Sequence, residues 1–261
     1  MQDTAKAFTH ACGHRVILKP AATKGGYDEI YYALRPDRDA PGGRAIERFA
    51  VVRINSPYKT QNDPIHPYDP GVPLDAAGRL DREWNAYQVL GPLGLSPQAL
   101  WRNDVAIACS WLEAKRVSRY LAKQRDQVWD IAQSAFALVT QMHEHGVVHL
   151  DLNLGNLLID PSDKRLQVID FEFGPAHWAQ TDQQQAFDYL RLVEDFIKPR
   201  RGGGHIAQDP ERLAQLLAQH VPAPAAAATL AFGPQKLTRL AASPPLYQAV
   251  RRVFSGLPER F

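Results

Sequence analysis

Apolar residues recur at helical spacing through the middle of the chain. Val128, Ile131, Ala135, Leu138, Val139 and Met142 share one face of a helix predicted over 126–145, which Gly146 ends. The period then changes. Val147 and Val148 read as a short strand, and Leu157, Leu158 and Ile159 as the next. A turn at Pro161-Ser162-Asp163-Lys164 leads to a return strand with Leu166, Val168 and Ile169. Upstream the pattern predicts strands over 15–19, 29–34 and 49–54, with a turn at 23–27 and a loop over 36–43. A second loop, 55–73, carries five prolines and is long enough to be functional or mobile. A helix over 80–90 and a strand over 105–112 follow, then a linker and a helix start near Ser118. Downstream, Phe187, Leu190, Val193 and Phe196 predict a helix over 186–197, and further helices are expected over 209–219 and 246–254. Between them, 198–204 reads as a basic, flexible break and 222–228 as an Ala/Pro-rich linker. No internal repeat is evident.

Composition narrows the class. The chain has 261 residues, enough for one bilobal unit or two small domains. With 45% hydrophobic and 22% charged residues it should pack rather than stay disordered. A net charge of +2 is too small to argue for nucleic acid, and none is expected as a partner. Cys12 and Cys109 are the only cysteines and lack ligand spacing, so no disulfide framework or zinc site is expected. That suits a reducing cytoplasm. Residues 1–14 are polar and do not read as a signal peptide, and no stretch approaches a bilayer-spanning length. Nothing in the pattern calls for an obligate oligomer.

The chemistry sits between the predicted strands. His149-Leu150-Asp151 followed by Asn156 reads H-x-D-x-x-x-x-N, and the return strand ends in Asp170-Phe171-Glu172. Phosphoryl transfer needs one carboxylate to orient the attacking hydroxyl and accept its proton, and a carboxylate and an amide on the metal ions that bridge the phosphates. Asp151, Asp170 and Asn156 supply these in order, as in the catalytic half of a kinase-like phosphotransferase. His149 either anchors the loop or joins the chemistry. Asn153 either meets the transferred phosphate or an acceptor hydroxyl, or caps the loop. Glu172 either assists at the metal or faces solvent. Asp188 either braces the catalytic loop or is a plain helix acid.

The nucleotide half needs a cation on the phosphates and an acid to hold that cation. Arg53 is the one cation within its strand, and guanidinium grips phosphate bidentately. Glu83 on the 80–90 helix is its expected partner, and Lys59 is a weaker alternative for the cation. Gly25 and Gly26 would let backbone approach phosphate, or form an ordinary turn. The hinge would be 110–113, with Trp111 and Leu112 offering backbone to the base.

In this order Arg53, Glu83, His149, Asp151, Asn156 and Asp170 resemble the protein-kinase-like superfamily. The segments HLDLNLGNLLID and VIDFE, with REWNAYQVL upstream, look most like bacterial lipopolysaccharide kinases, especially the 3-deoxy-D-manno-octulosonic acid (Kdo) kinases. The resemblance is densest over 126–172, weaker over 45–125, and faint at the N-terminus and after 200. It implies ATP and Mg2+, with Asp151 as base, Asn156 and Asp170 on metal, and Arg53–Glu83 orienting phosphate. Departures are the minimal glycine pair and Glu172 after D-F.

The expected architecture is α+β: a two-lobed protein-kinase-like fold in a single domain over 1–261. A small β-rich N-lobe over 1–110 carries the phosphate grip, and a mainly helical C-lobe over 111–261 carries the catalytic loop and metal segment. The site is expected in the cleft between them. The expected reaction is phosphorylation of a sugar hydroxyl in the lipopolysaccharide core, on a small-molecule or glycolipid acceptor. Lys198, Arg200 and Arg201 would attract an anionic acceptor or an anionic membrane surface, which allows a peripheral place on the inner membrane. The segment between Asp170 and the next helix is short and lacks an A-P-E-like stretch, which favours a compact acceptor over a peptide. The alternatives are an atypical protein Ser/Thr kinase and a pseudokinase-type nucleotide-binding regulator.

Overall fold

The computed structural model describes residues 2–21, 28–36, 46–56, 67–230 and 236–259. The turn with Gly25 and Gly26, the loop 37–45, and Lys59 lie outside the described residues. The fold is mixed α+β and kinase-like, with an antiparallel sheet in the N-terminal part and a helical C-terminal part. Two compact units divide the chain: Met1–Asp63 with Leu74–Glu113, and Pro64–Pro73 with Ala114–Phe261.

The smaller unit starts with α1 (Gln2–Cys12), then β1 (Ile17–Pro20), β2 (Glu29–Pro36) and β3 (Ile46–Ile54). β4 (Gly71–Pro73) belongs to the other unit. α2 (Ala76–Leu90), β5 (Ala99–Arg102) and β6 (Ala106–Ser110) complete the smaller one. Its sheet runs β1-β2-β3-β6-β5 with antiparallel neighbours. Alternation along β3 sorts its two faces. Ala50, Val52 and Ile54 join Phe8, Val16, Tyr31 and Ala33 in the core. Val51 and Arg53 point the other way, where Glu83 of α2 meets Arg53. Phe8 anchors α1 by stacking on Phe49 at 5.7 Å and Trp101 at 5.2 Å. Asp75 caps α2 by accepting the Gly78 N–H.

The larger unit contains β7 (Lys115–Arg116), α3 (Val117–Leu121), α4 (Val128–Glu144), β8 (Leu157–Ile159), β9 (Leu166–Val168), β10 (Phe173–Pro175) and α5 (Thr181–Phe196). α6 (Gly203–Gln208), α7 (Pro210–His220), α8 (Ala223–Ala227), α9 (Thr238–Ala241) and α10 (Pro244–Val253) follow. The predicted apolar stripe of α4 is entirely buried. Full burial of its Val, Ile, Leu and Met side chains stabilises by about 1.5–3 kcal/mol each, before entropy is subtracted. Phe136 of α4 packs against Tyr189 and Phe196 of α5. β7-β8-β9 form one small sheet and β4 pairs with β10 in another.

Several expectations need correction. Val147 and Val148 form no strand, because the Val147 N–H closes the end of α4 on the Met142 carbonyl at 3.1 Å. Gly146, at φ +73, makes that reversal possible. α5 begins at Thr181, earlier than apolar spacing indicated, because its first turn is polar and held by a Gln180–Gln183 capping box. The segment 198–204 is ordered into a 3-10 turn and the start of α6, and Lys198 and Arg201 both pair with Asp195. Arg200 is exposed and forms no ion pair among the described residues. Residues 223–227 are helical, since proline is tolerated in a first turn. The long loop ends in β4, and α1, β5, β7 and α9 were not anticipated.

Candidate active site

In the smaller unit the sequence-predicted pair is formed: Arg53 Nη1 lies 3.0 Å from Glu83 Oε2. Three further residues join it. Asp28 Oδ2 is 3.4 Å from the same Arg53 nitrogen, and Arg79 Nη2 donates to Asp28 Oδ1 at 2.9 Å. Tyr87 donates its hydroxyl to Glu83 Oε1 at 2.6 Å. Glu83, Asp28 and Arg79 are all buried, so the guanidinium of Arg53 is aimed by two fixed carboxylates. Burial, with Glu83 nearby, pushes the Cys109 thiol up to about 12, so this cysteine stays protonated and unreactive at neutral pH.

At the predicted hinge, Trp111 donates its backbone N–H to the Phe49 carbonyl at 2.9 Å, so that donor is committed to β3. Its indole lies edge-on to Tyr32 and beneath the Arg48 guanidinium. Leu112 is half-buried beside it.

The larger unit assembles the predicted catalytic loop on α5. Asp188 accepts the His149 N–H and the Leu150 N–H, each at 2.7 Å, and His143 Nε2 lies 3.0 Å away. Burial alone would raise the pKa of this carboxyl, but the hydrogen bond and charge of His143 and the loop N–H bond hold it below the usual range. Two turns along the helix, Asp195 accepts the Leu154 N–H at 2.8 Å. Asp188 and Asp195, seven residues apart on one helix face, thus hold the loop at both ends. Asp195 was not anticipated; a buried acid amid the apolar positions of α5 was its only signal.

Each loop side chain has a defined place. His149 Nε2 is 3.0 Å from the Ile169 carbonyl, its Nδ1 accepts the Asp151 N–H at 3.3 Å, and its ring lies 4.7 Å from Phe171. Both ring nitrogens are therefore occupied by backbone, which makes His149 an anchor. Asn153 donates to the Asp151 carbonyl at 2.9 Å and accepts the Gly155 N–H at 2.8 Å, so its amide caps the loop. Asn156 Nδ2 donates to the Asp151 carbonyl at 3.1 Å and reaches Asp151 Oδ2 at 3.4 Å. Asp170 follows Ile169, whose N–H bonds the Asn156 carbonyl at 3.0 Å, so the two predicted metal residues are tied by backbone. Glu172 is half-buried and donates its N–H to the Asp170 carbonyl at 3.2 Å.

The three described non-glycine residues with positive φ are Leu150 (69°), Lys164 (63°) and Asp170 (78°). Two of them flank or bear the predicted chemistry, where backbone strain is held by surrounding bonds. Burial is the main cause that raises the pKa of Asp151. The charge of Asp170 adds to it, against His149, Arg191 and Lys236.

A family model described as the phosphotransferase enzyme family, APH, matches residues 52–216. That span is well over half the chain, and it holds Arg53, Glu83, the catalytic loop, Asp170 and both bracing acids. The chain belongs to the APH phosphotransferase family. Its membership makes it a kinase-type phosphotransferase of the protein-kinase-like superfamily. No curated protein matches the chain. Among the described residues no group of three or more His, Cys, Asp or Glu side chains is placed to hold a metal ion. No described helix of this APH member is long and apolar enough to cross a membrane.

Proposed function

We propose that the protein transfers the γ-phosphoryl group of ATP to a hydroxyl of a sugar in the lipopolysaccharide core, Kdo or heptose. The observation that carries this reading is Asp151, a half-buried carboxylate fixed by Asn156 and by a loop whose ends rest on Asp188 and Asp195. A base so held can orient a hydroxyl and accept its proton as the oxygen attacks phosphorus. The short link from Asp170 through β10 to Thr181 supports a compact acceptor rather than an extended peptide.

The donor set fits magnesium. Asn156 commits its amide nitrogen to Asp151, which leaves its oxygen for a hard cation, and Asp170 offers a carboxylate. One carboxylate and one amide, completed by phosphate oxygens, suit Mg2+ better than a protein-only cage would. Asn156 and Asp170 would hold the ion, with Glu172 beside them, and it would neutralise phosphate charge. Arg53, aimed by Glu83 and Asp28, would grip the α/β-phosphates. Because the Trp111 N–H is taken, the base would meet the Trp111 carbonyl and the backbone of Leu112 and Glu113. Gly25 and Gly26 would cover the phosphates. A lipid-borne acceptor implies work in the cytoplasm, peripheral on the inner membrane.

The test is product identification. Purified protein with Mg–ATP and a Kdo-containing lipid A precursor should yield a phosphorylated sugar. ATP turnover that phosphorylates protein Ser or Thr instead would contradict the sugar reading.

A further inference from the structure

Every residue of α5 from Ala186 to Phe196 is buried except Arg191. Arg191 lies on the same helix face as Asp188 and Asp195, between the two acids that hold residues 149–154. A cation therefore reaches partial exposure beside the loop that carries Asp151. Its Nη1 donates to the Lys236 carbonyl at 3.0 Å, which brings a second cation to the same place.

Lys236 is in turn tied to the loop from another side. Its Nζ lies 3.0 Å from Asp69 Oδ2. Two residues on from Asp69, Gly71 packs so closely on the catalytic loop that an added Cβ would sit 2.9 Å from Leu150 Cβ. Asp69 Oδ1 is buried without a hydrogen-bond partner among the described residues. Arg191 and Lys236 also act electrostatically on Asp151.

We propose that Arg191 and Lys236, tied to Asp69, form a subsite beside Asp151 that binds an anionic group, carboxylate or phosphate, of the acceptor. The proposal rests on the sugar-kinase reading and adds its specificity determinants. Lys236 keeps ammonium protons, and Arg191 guanidinium N–H groups, beyond the bonds to Asp69 and to the Lys236 carbonyl, and these donors suit an anion. The unsatisfied Asp69 oxygen suits a donor such as a sugar hydroxyl. A neutral sugar would offer these donors no charged acceptor, so it should bind more weakly.

The experiment measures binding calorimetrically, with the full chain, Mg2+ and a non-hydrolysable ATP analogue. The probes are Kdo monosaccharide, its carboxamide and a phosphorylated hexose. The wild type should bind Kdo at least about tenfold tighter than the carboxamide, the scale of one charge-assisted hydrogen bond. Lys236→Met should erase the difference, and Lys236→Arg should keep it. A phosphorylated hexose that outcompetes Kdo would assign the subsite to phosphate instead of carboxylate, and still support it. Equal binding of acid and amide by the wild type, or a preference that survives Lys236→Met and Arg191→Met, would overturn it. Phosphorylation of a neutral sugar without acid preference would overturn the subsite and leave the sugar-kinase reading standing. Acid preference in binding, with no sugar phosphorylated, would do the reverse.

Discussion

Asp188 accepts the backbone N–H of Leu150 at 2.7 Å while Leu150 holds a φ of +69°. A leucine in the left-handed region is strained, and one buried carboxylate bond helps to hold it there. The bend sets the direction in which the next residue, Asp151, leaves the loop. Replacing Asp188 by Ala would leave two buried N–H groups and His143 without their acceptor. We expect a loss of about 3 kcal/mol in urea unfolding, together with reduced turnover. Native-like stability would show that the loop does not depend on this acid.

The same residue makes a pH prediction. Its folded-state pKa is depressed, so its stabilisation is present above the unfolded carboxyl value and is lost as pH falls through the folded value. Asp188→Asn should flatten the acid limb of the stability profile. An identical slope in both proteins would contradict the assignment.

Asp151 shifts the other way. As a base it must be ionised, and burial raises its pKa, so turnover should fall, as pH drops, at a pH above the ordinary carboxylate range. Lys236 is one of the groups that draw the value down. Lys236→Met should therefore move the acid limb of kcat to still higher pH. A limb that stays in place would remove Lys236 from the surroundings of the base.

Arg53 should matter through nucleotide affinity. Arg53→Met should weaken Mg–ATP binding about tenfold or more, measured by calorimetry. Glu83→Gln should cost less, because Asp28 still holds the guanidinium from a second side. An effect of Glu83→Gln equal to that of Arg53→Met would mean that Asp28 contributes nothing.

The parts of the fold legible in the chain were those with local signals. The α4 stripe, the 157–168 hairpin and the H-x-D loop each lie within a few residues, and period and turn chemistry describe them. Arg53 and Glu83 were legible because a lone cation in an apolar strand and an acid on the next helix are few enough to pair. The phosphotransferase family follows from the same residues, while the acceptor does not. Asp28 and Asp195 were missed because they act across 51 and 41 residues, on Arg79 and Leu154. β4 and β10 are three residues each and contain glycine and proline, so they show no strand pattern. α1 buries only Thr4 and Phe8, too few for an apolar stripe. The basic 198–204 segment read as a flexible break because nothing local shows that Asp195 collects two of its cations.

The most direct test compares wild type with Asp151→Asn in single-turnover phosphate transfer and in Mg–ATP affinity, measured on the same preparations. The side chains are nearly isosteric, and Asn can keep the contact to Asn156 but cannot take a proton. Transfer should fall by about 10²–10⁴-fold while ATP affinity stays within a factor of about three. Transfer that survives in Asp151→Asn, or an equal loss of both quantities, would contradict the role of Asp151 as the base.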